Sequence, residues 1–341
     1  MRLLIVIVNY RTAALTVDCL RSLASEVIAA GAKVVITDNL SGDDSVKQIA
    51  NAIEQNGWQS WASLLSLSRN GGFAYGNNAG IRPAVESADP PDYVLLLNPD
   101  TVVRPNALTA LLEFMDVNPK VGIAGSRLEH PDGTPQRSAF RFHSVCSEFE
   151  SGMRLGIVSR IFRSRIVAPP VPENACATDW VAGASMIIRR AVFAQIGLMD
   201  EAYFMYFEEV DFCLRAARAG WPCWYAPASR VVHLVGQSSG VTDVKQSHKR
   251  RPKYWFVSRK RFFVNNFGAM HALMANVAWA SAYATYRLRR IIQRKPDTDP
   301  AGLLWDFVKY SFSCTGCCDE EKTGNRTQEI SVASVVRHAP G

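Results

Sequence analysis

The sequence predicts an α/β fold with a doubly wound, mostly parallel, Rossmann-like sheet over residues 1–240 and a basic helical segment over 241–312. Strand and helix patterns alternate along the first 125 residues, and the apolar strands end in polar side chains. This alternation is typical of a parallel sheet with helices on both faces. The segment over 241–312 differs in composition from the rest of the chain, because most of its charged residues are basic.

The predicted elements of the first half follow one another with short connections. The expected strands are Leu3–Val8, Lys33–Thr37, Ser63–Leu67 and Tyr93–Leu97. The expected helices are Ala13–Ala30, Ser45–Glu54, Ala74–Ile81 and Ala107–Met115. β-Branched runs such as the first strand suit a position that is buried on both faces of the sheet.

The second half is less regular in sequence. Turn signals interrupt Arg127–Pro172, so we expect an insertion or an acceptor-side segment there. The elements expected after it are a strand-like run over Trp180–Arg189, helices over Ala191–Ile196 and Glu208–Ala219, and short strands at Cys223–Tyr225 and Arg230–His233.

Polar side chains follow four of the predicted strands. They are Asn9 and Tyr10, Asp38 and Asn39, Ser68 to Asn70, and Asn98 and Asp100. Ligands of open parallel sheets bind beyond the carboxyl ends of the strands. The sequence therefore predicts a ligand site at this rim.

The basic residues are distributed unevenly. The chain has 38 Lys and Arg against 31 Asp and Glu, and thirteen of the basic residues lie between Val244 and Pro296, where no acid occurs. The remainder of the chain is net acidic. A local cationic patch favours an anionic partner, either lipid headgroups or nucleic acid.

Two motifs at the rim suggest metal and phosphate chemistry. Asp100, in Asn98-Pro99-Asp100, could hold Mg²⁺ or Mn²⁺ against a diphosphate, since hard cations prefer oxygen ligands. The Asn70-Gly71-Gly72 loop allows backbone to approach a phosphate or sugar, and a helix follows it. Both motifs are also turn-prone, so plain turns are the alternative. His233, at the end of a late strand, is either a ligand or a structural histidine.

Three acids open a later helix, Glu208, Glu209 and Asp211, with Arg215 one turn beyond Asp211. These acids could simply offset the helix dipole, and Asp211 and Arg215 have ion-pair spacing. Adjacent carboxylates cannot face the same way, however. One of Glu208 and Glu209 can therefore project into the rim and deprotonate an acceptor hydroxyl.

The order of these features resembles the family-2 glycosyltransferases, and within them the bacterial rhamnosyltransferases. The features are Asp38 at a strand end, the Asn-Gly-Gly loop, LLNPD, WVAGA, FEEVDFCLR and a late VVH. The resemblance covers Leu3 to about Gly240 and, more weakly, the segment after it. It implies a GT-A fold that holds a nucleotide in its N-terminal half.

The resemblance also implies residue roles on the donor side. The residues that would line the base, ribose and diphosphate are Asn9, Tyr10, Asp38, Asn70, Gly72 and Asn78. Asn98-Pro99-Asp100 stands at the family's Asp-x-Asp motif, with Asn in place of the first Asp. Asp100 would therefore be the main protein ligand of the metal, and His233 would be a second contact.

On the acceptor side, Trp180 and Gly183 would face the donor sugar and the acceptor. Glu209 stands where the family's general base, usually Asp, is found, and Glu208 is the alternative. The implied reaction is a single inverting displacement in which Mg²⁺ or Mn²⁺ neutralises charge on the leaving diphosphate. The expected donor is dTDP-rhamnose, with a UDP-sugar as the alternative. The expected acceptor is a glycan or lipid-linked glycan of cell-surface polysaccharide synthesis.

Other classes of protein remain open on the sequence alone. A nucleotidyltransferase would need a glycine-rich basic loop after the first strand, whereas this chain has Asn9-Tyr10-Arg11-Thr12. A nucleic-acid-binding protein would account for the basic segment but not for the acidic rim, so we expect no nucleic acid partner. A non-catalytic sugar-nucleotide-binding protein would carry the same motifs.

The basic segment contains a mostly apolar stretch, Phe262–Tyr286, which His271 and Asn276 interrupt, so we do not expect it to span a membrane. It either packs on the catalytic domain or lies in the membrane interface with its arginines on anionic lipid. The second hypothesis predicts an enzyme on the inner face of the cytoplasmic membrane. The aromatic residues it places at headgroup depth are Trp279, Tyr283 and Tyr286.

The cysteines are expected to be reduced thiols. The apolar run after Met1 is too short for an export signal, which indicates a cytoplasmic protein. Cys314, Cys317 and Cys318 have no nearby fourth ligand for zinc. We expect free thiols there, in a disordered tail over residues 313–341.

Overall fold

The structure of the chain is a computed structural model that describes residues 1–234 and 250–312. The strands of its first half are β1 (Leu3–Asn9), β2 (Ala32–Asp38), β3 (Ala62–Ser66), β4 (Tyr93–Leu97) and β5 (Thr101–Val103). The helices between them and after them are α1 (Ala13–Leu23), α2 (Ser45–Gln55), α3 (Gly72–Val85) and α4 (Ala107–Val117).

The second half adds further strands and seven helices. Its strands are β6 (Ile123–Glu129), β7 (Ala139–Phe140), β8 (Cys176–Thr178), β9 (Trp180–Val181), β10 (Ser185–Arg189) and β11 (Cys223–His233). Its helices within the described residues are α5 (Val145–Met153), α6 (Gly156–Ile161), α7 (Arg190–Ile196), α8 (Glu208–Arg218), α9 (Lys253–Phe267), α10 (Ala269–Ile292) and α11 (Leu303–Phe312).

The main sheet has the strand order β3-β2-β1-β4-β10-β6-β11-β5, with β8 beside β11. Strands β3, β2, β1 and β4 are parallel, β10 is antiparallel to both of its neighbours, and β6 and β11 are parallel to each other. The mostly parallel α/β sheet predicted from the sequence is confirmed. Ile5 of β1 packs into the core on one face of the sheet and Val6 into the core on the other, as expected for a β-branched run.

Three element predictions were wrong in detail. α1 ends at Leu23, because the chain then turns and Glu26 accepts a hydrogen bond from the backbone of Leu108 in α4 (3.1 Å). Residues Trp180–Arg189 form two strands in different sheets, since β9 pairs with β7 and β10 lies between β4 and β6. The two short late strands are one strand, β11, with a register shift between Ala226 and Arg230.

The segment Arg127–Pro172, expected to be an insertion, begins inside the sheet. β6 extends from Ile123 to Glu129 and lies beside β11, and the small strand β7 and the helices α5 and α6 form only after Glu129. β6 escaped prediction because its sequence, IAGSRLE, lacks a continuous apolar run.

The helices of the basic segment pack on the rest of the chain. Phe262 and Phe263 of α9 form one apolar cluster with Phe207 and Val210 at α8, and α10 packs along α5. Side chains also join the two parts, because Ser258 donates to the Met205 carbonyl (3.0 Å). Packing was one of the two possibilities left open by the sequence.

The predicted position of Trp279 and Tyr283 at headgroup depth was wrong. Trp279 stacks on Phe307 of α11 with ring centroids 4.0 Å apart, and Tyr283 is fully buried. The α10 arginines also face the protein, since Arg289 donates to the Met153 carbonyl (2.9 Å) and Arg287 and Arg290 pair with Asp297. These contacts form because the chain turns after α10. α11 then packs against the side of α10 that carries the aromatic residues.

Among residues 1–234 and 250–312, no helix is both long enough and apolar enough to cross a membrane. The domain boundary expected near residue 240 and the tail with Cys314, Cys317 and Cys318 lie outside the described residues.

A buried ion pair joins α5 to α9. Arg259, which is 1% exposed, donates to Glu148 through Nη2 (2.7 Å) and Nε (3.2 Å), and the ring of His143 contacts the other carboxylate oxygen (3.2 Å). Burial alone would raise the pKa of Glu148. The Arg259 charge and the His143 hydrogen bond outweigh it and lower that pKa to about 2.

We expect Glu148→Gln to destabilise the protein by about 3–5 kcal/mol at pH 7, because Arg259 would keep a buried charge without its carboxylate. Wild-type Glu148 binds a proton at pH 4.5 when unfolded but only near pH 2 when folded, so its contribution is full above pH 4.5 and is lost between pH 4.5 and 2. Urea denaturation should therefore show the wild-type advantage shrinking over this range. Glu113→Gln, on the exposed side of α4, is the control. Equal stability of the two variants at pH 7 would contradict the expectation.

Candidate active site

The ends of β1 and β2 form one side of the rim. Asn9 and Asp38 are paired in register, and Asn9 Nδ2 donates to Asp38 Oδ1 (2.7 Å). Ser41 donates to the same carboxylate through its hydroxyl (2.5 Å) and its backbone N–H (3.0 Å). All three side chains are buried, so Asp38 fixes the loop that follows β2. Tyr10, in the loop after β1, is 38% exposed.

The Asn-Gly-Gly loop contacts the segment that precedes α8. Gly72 has φ +84°, and a Cβ on it would lie 1.8 Å from the Phe204 carbonyl oxygen. The next backbone N–H, of Phe73, donates to that oxygen (2.9 Å). Asn70 accepts a hydrogen bond from Gly72 N (3.1 Å), so its side chain closes the turn. Gly72 is therefore required for the close approach of two backbones.

Asn78 lies one turn and a half into α3 and is buried. Its amide donates to the Met199 carbonyl (2.8 Å) and accepts from Met199 N (3.2 Å), and it also donates to Glu201 (3.0 Å). The structure thus uses Asn78 to hold the segment before α8. The sequence did not identify this partner, and the role of Asn78 beside the ribose and diphosphate stays a prediction.

Asp100 and His233 come together through a pairing of distant strands. β5, which begins directly after Asp100, runs antiparallel to β11, and His233 is opposite Thr101. Leu234 N donates to the Asp100 carbonyl (2.9 Å), and His233 Nε2 lies 3.6 Å from Asp100 Oδ1. Asn98, before them, donates its backbone N–H to Ala184 (3.0 Å). One carboxylate and one imidazole thus converge at the rim.

This donor set fits a divalent cation held jointly with a substrate. Within the described ranges no three His, Cys, Asp or Glu side chains gather as a complete metal site. Mg²⁺ and similar ions are commonly held by one or two carboxylates together with substrate phosphates and water. Asp100 and His233 therefore match a site that the diphosphate of a ligand would complete, rather than a closed structural site.

Glu208 and Glu209 begin α8 after two residues in an unusual conformation. Tyr206 and Phe207 have φ values of +68° and +69°, a region that bulky residues rarely adopt at a cost of roughly 1–3 kcal/mol each. Glu208 is buried and Glu209 is half-buried. Of the side chains described, the Oε2 atoms of both lack a hydrogen-bond partner. Two unsatisfied carboxylate oxygens beside a strained backbone indicate a functional position.

The two acids differ in their ionisation. Burial raises the pKa of Glu209 to about 7. Burial, reinforced by the charge of Glu209, raises the pKa of Glu208 well above its usual value. Near neutral pH Glu209 is therefore the one of the pair that can hold and release a proton. The neighbouring Asp211 forms the expected ion pair with Arg215 (2.8 Å).

Trp180 and Gly183 flank this region. Trp180 stacks on Phe140 with centroids 4.2 Å apart and donates its indole N–H to the Arg141 carbonyl (2.9 Å). A Cβ on Gly183 would lie 3.1 Å from the Phe73 ring, so this glycine makes room for the residue after Gly72. The two positions line the side of the sheet that carries the acidic helix.

His143 was missed by the sequence reasoning. Its ring lies 5.1 Å from that of Phe207 and 6.5 Å from that of Trp180, and Glu148 orients it. No motif marks His143, because it lies in the irregular segment after β7 and its partners come from α5, α8 and α9. Only the arrangement of those helices in space identifies it.

This strand order, with an acid and a histidine at the rim and two acids at the start of a facing helix, defines a glycosyltransferase of GT-A fold. The chain belongs to glycosyltransferase-like family 2, whose family model matches residues 2–263. The fold is similar to that of the mannosyltransferase PcManGT from Pyrobaculum calidifontis, solved in complex with GDP-Man and Mn²⁺. The TM-score is 0.55 at 14% identity, over 89% of this chain and 78% of that one.

Two relatives in sequence have names that describe their activity. The chain is 31% identical over 163 residues to the N-acetylglucosaminyl-diphospho-decaprenol L-rhamnosyltransferase of Mycobacterium tuberculosis strain H37Rv, which covers 44% of this chain and 49% of that protein. It is 28% identical over 167 residues to the rhamnosyltransferase WbbL of Escherichia coli strain K12, covering 48% and 61%. The matches thus span about half of the mycobacterial protein and three-fifths of the other.

We expect Gly72→Ala to be far more destabilising than Gly42→Ala. Both glycines have positive φ, but nothing lies within 4 Å of a Cβ on Gly42, so that variant carries only the backbone penalty of about 1–2 kcal/mol. At Gly72 the clash with Phe204 adds to it, for a total of at least ~3 kcal/mol. Chemical denaturation of the two variants measures the difference. Equal losses would show that the α3 contact tolerates a side chain.

Proposed function

We propose that this chain is a metal-dependent, inverting glycosyltransferase that transfers a sugar from a sugar nucleotide to a hydroxyl of a glycan or lipid-linked glycan. The proposed donor is dTDP-rhamnose, with a UDP-sugar as the alternative. The observation that supports the reaction most directly is Glu209: it is half-buried at the rim, has a carboxylate oxygen without a partner among the described residues, and has a pKa of about 7.

Glu209 is the proposed general base. A base works best when its pKa is close to the working pH, because it must be ionised and still accept a proton. Glu208 is less suited, since its pKa is raised further and it is more deeply buried. Glu209 would remove the acceptor proton as the acceptor oxygen attacks the anomeric carbon from the face opposite the leaving diphosphate. This single displacement would invert the configuration at the anomeric carbon.

Asp100 and His233 are the proposed metal ligands, for Mg²⁺ or Mn²⁺. Such an ion, when bound, would neutralise charge on the leaving diphosphate. The convergence of the two side chains supports this assignment, and the similar mannosyltransferase was solved with Mn²⁺. Within the rim, Asn9, Tyr10, Asp38, Asn70, Gly72, Asn78 and Asn98 would shape the nucleotide side directly or by holding its loops.

The relatives support the choice of donor and acceptor. Both of those described above are rhamnosyltransferases by name, and the mycobacterial name describes a sugar linked through a diphosphate to decaprenol. An acceptor of that kind lies in a membrane, so we propose a peripheral enzyme on the inner face of the cytoplasmic membrane. A nucleotidyltransferase is less well supported, because the loop after β1 has no glycine.

Donor binding is expected to depend on Asp100. In a thermal-shift screen of sugar nucleotides with Mn²⁺, dTDP-rhamnose should raise Tm the most, because a ligand stabilises the state that binds it. Asp100→Ala should lose the metal-dependent part of the shift, since neither the Asn98 amide nor the His233 imidazole can supply the negative charge of a carboxylate. Asp18→Ala, on the exposed face of α1, is the control. Unchanged binding and transfer in excess chelator would remove the metal from the reaction.

We expect Glu209→Gln to lower kcat by roughly 10²–10⁴-fold with little change in donor affinity, because the amide has nearly the same shape but cannot accept the proton. Wild-type kcat/KM should fall as pH decreases below about 7, where Glu209 becomes protonated. Glu208→Gln is the matched variant. If Glu208→Gln loses turnover and Glu209→Gln keeps it, the base is Glu208. If neither affects turnover, the base is a different residue. Donor binding by wild-type protein without any turnover would indicate a binding protein.

A further inference from the structure

One side of α10 exposes two groups of apolar side chains, one toward each end of the helix. Met270 and Ile292, near its two ends, are 70% and 72% exposed. The others, which recur at intervals of three and four residues and so share a face, are Leu273, Met274, Val277, Leu288 and Ile291. The middle of this face carries only the small residues Ser281 and Ala284 with Thr285. We call this set the α10 outer face.

The opposite side of α10 is fixed to the protein. Ala275, Trp279 and Tyr283 are buried there, Asn276 donates to the Ser311 carbonyl (3.1 Å), and Gly152 of α5 approaches the backbone at Trp279. The outer face is therefore presented in one orientation by a packed helix. Large exposed apolar patches on a folded protein mark sites of protein or membrane interaction.

The charge around α10 favours an anionic surface. Within residues 250–312 the acids are Asp297, Asp299 and Asp306, and each is in an ion pair with arginine. α10 itself contains no acid. Basic side chains that remain exposed in these helices and in the turn after α10 are Lys253, Arg294, Lys295 and Lys309.

A second exposed apolar region lies at the carboxyl end of α10. Arg289 donates to the carbonyls of Met153 (2.9 Å) and Arg154 (2.7 Å), which fixes this end beside the start of α6. α6 exposes Ile157 and Ile161 at 63% and 71%, and Arg160 lies between them in sequence. Apolar and basic side chains are thus combined at two neighbouring helices.

We propose that the α10 outer face is a membrane-contact surface that lies on the headgroups of an anionic bilayer. A 24-residue helix is about 36 Å long, and a helix of this composition can lie in the interface with its apolar side chains at the acyl boundary and exposed cations on acidic lipid. Pairing with a second copy is less favoured, because it would bring two basic segments together. The choice of a lipid surface rests on the lipid-linked acceptor in the proposed function.

The test is sedimentation of the full chain with vesicles of phosphatidylcholine, with and without phosphatidylglycerol. Wild-type protein should bind the anionic vesicles and release as salt rises, because exposed charges are screened. Leu273→Glu combined with Val277→Glu should weaken partitioning by at least ~10-fold, because two apolar anchors become anions. Val117→Glu, at a 76% exposed valine on α4, is the matched control and should bind as wild type does.

Any of three results would contradict the proposed membrane-contact surface. The first is no binding of wild-type protein to anionic vesicles at low salt, and the second is undiminished binding of the double variant. The third is that wild-type protein is a dimer in solution whereas the double variant is a monomer. Donor thermal shift and transfer to a soluble acceptor analogue are measured in parallel. The double variant should retain both. If wild-type protein binds the vesicles but shows no transfer, the proposed function is rejected and the proposed membrane-contact surface is retained.

Discussion

The contact between α3 and the segment before α8 fixes the two sides of the candidate site relative to each other. Gly72 brings the backbone of the Asn-Gly-Gly loop onto Phe204, and Asn78 binds Met199 in the same segment. That segment ends in the left-handed residues Tyr206 and Phe207, from which α8 begins. A side chain at position 72 would separate donor loop and acidic helix, so the geometry of the whole rim depends on this close approach.

The C-terminal helices support the same segment from the other side. Ser258 of α9 binds the carbonyl of Met205, and Phe262 packs against Phe207 with ring centroids 5.6 Å apart. The buried pair of Arg259 and Glu148 then connects α9 to α5. A buried ion pair is a weak source of net stability but becomes costly when one partner is removed. Because α9 supports the segment before α8, the orientation of α8 also depends on this ion pair. It therefore depends on residues that the basic composition alone would assign to a membrane-binding appendage.

The sequence predicted the features that local patterns determine. β1 and β4 are continuous apolar runs, and their predicted bounds agree with the structure to within one residue. Contacts between residues that are distant in sequence were not predictable. Asp38 is held by Ser41 as well as by Asn9, and His143 is placed by three separate helices. The aromatic side of α10 was assigned to lipid although it is buried, because periodicity separates two faces of a helix without showing which one meets the protein.

The pair of acids at the start of α8 shows how one short segment can raise the pKa of ordinary carboxyl groups. Burial raises the pKa of both carboxyl groups, to about 7 for Glu209, and the charge of Glu209 adds to the increase at Glu208. The left-handed residues Tyr206 and Phe207 directly precede the two acids. In the proposed function Glu209 takes the place of an Asp that is shorter by one methylene, and its half-buried position at the start of α8 is compatible with that role.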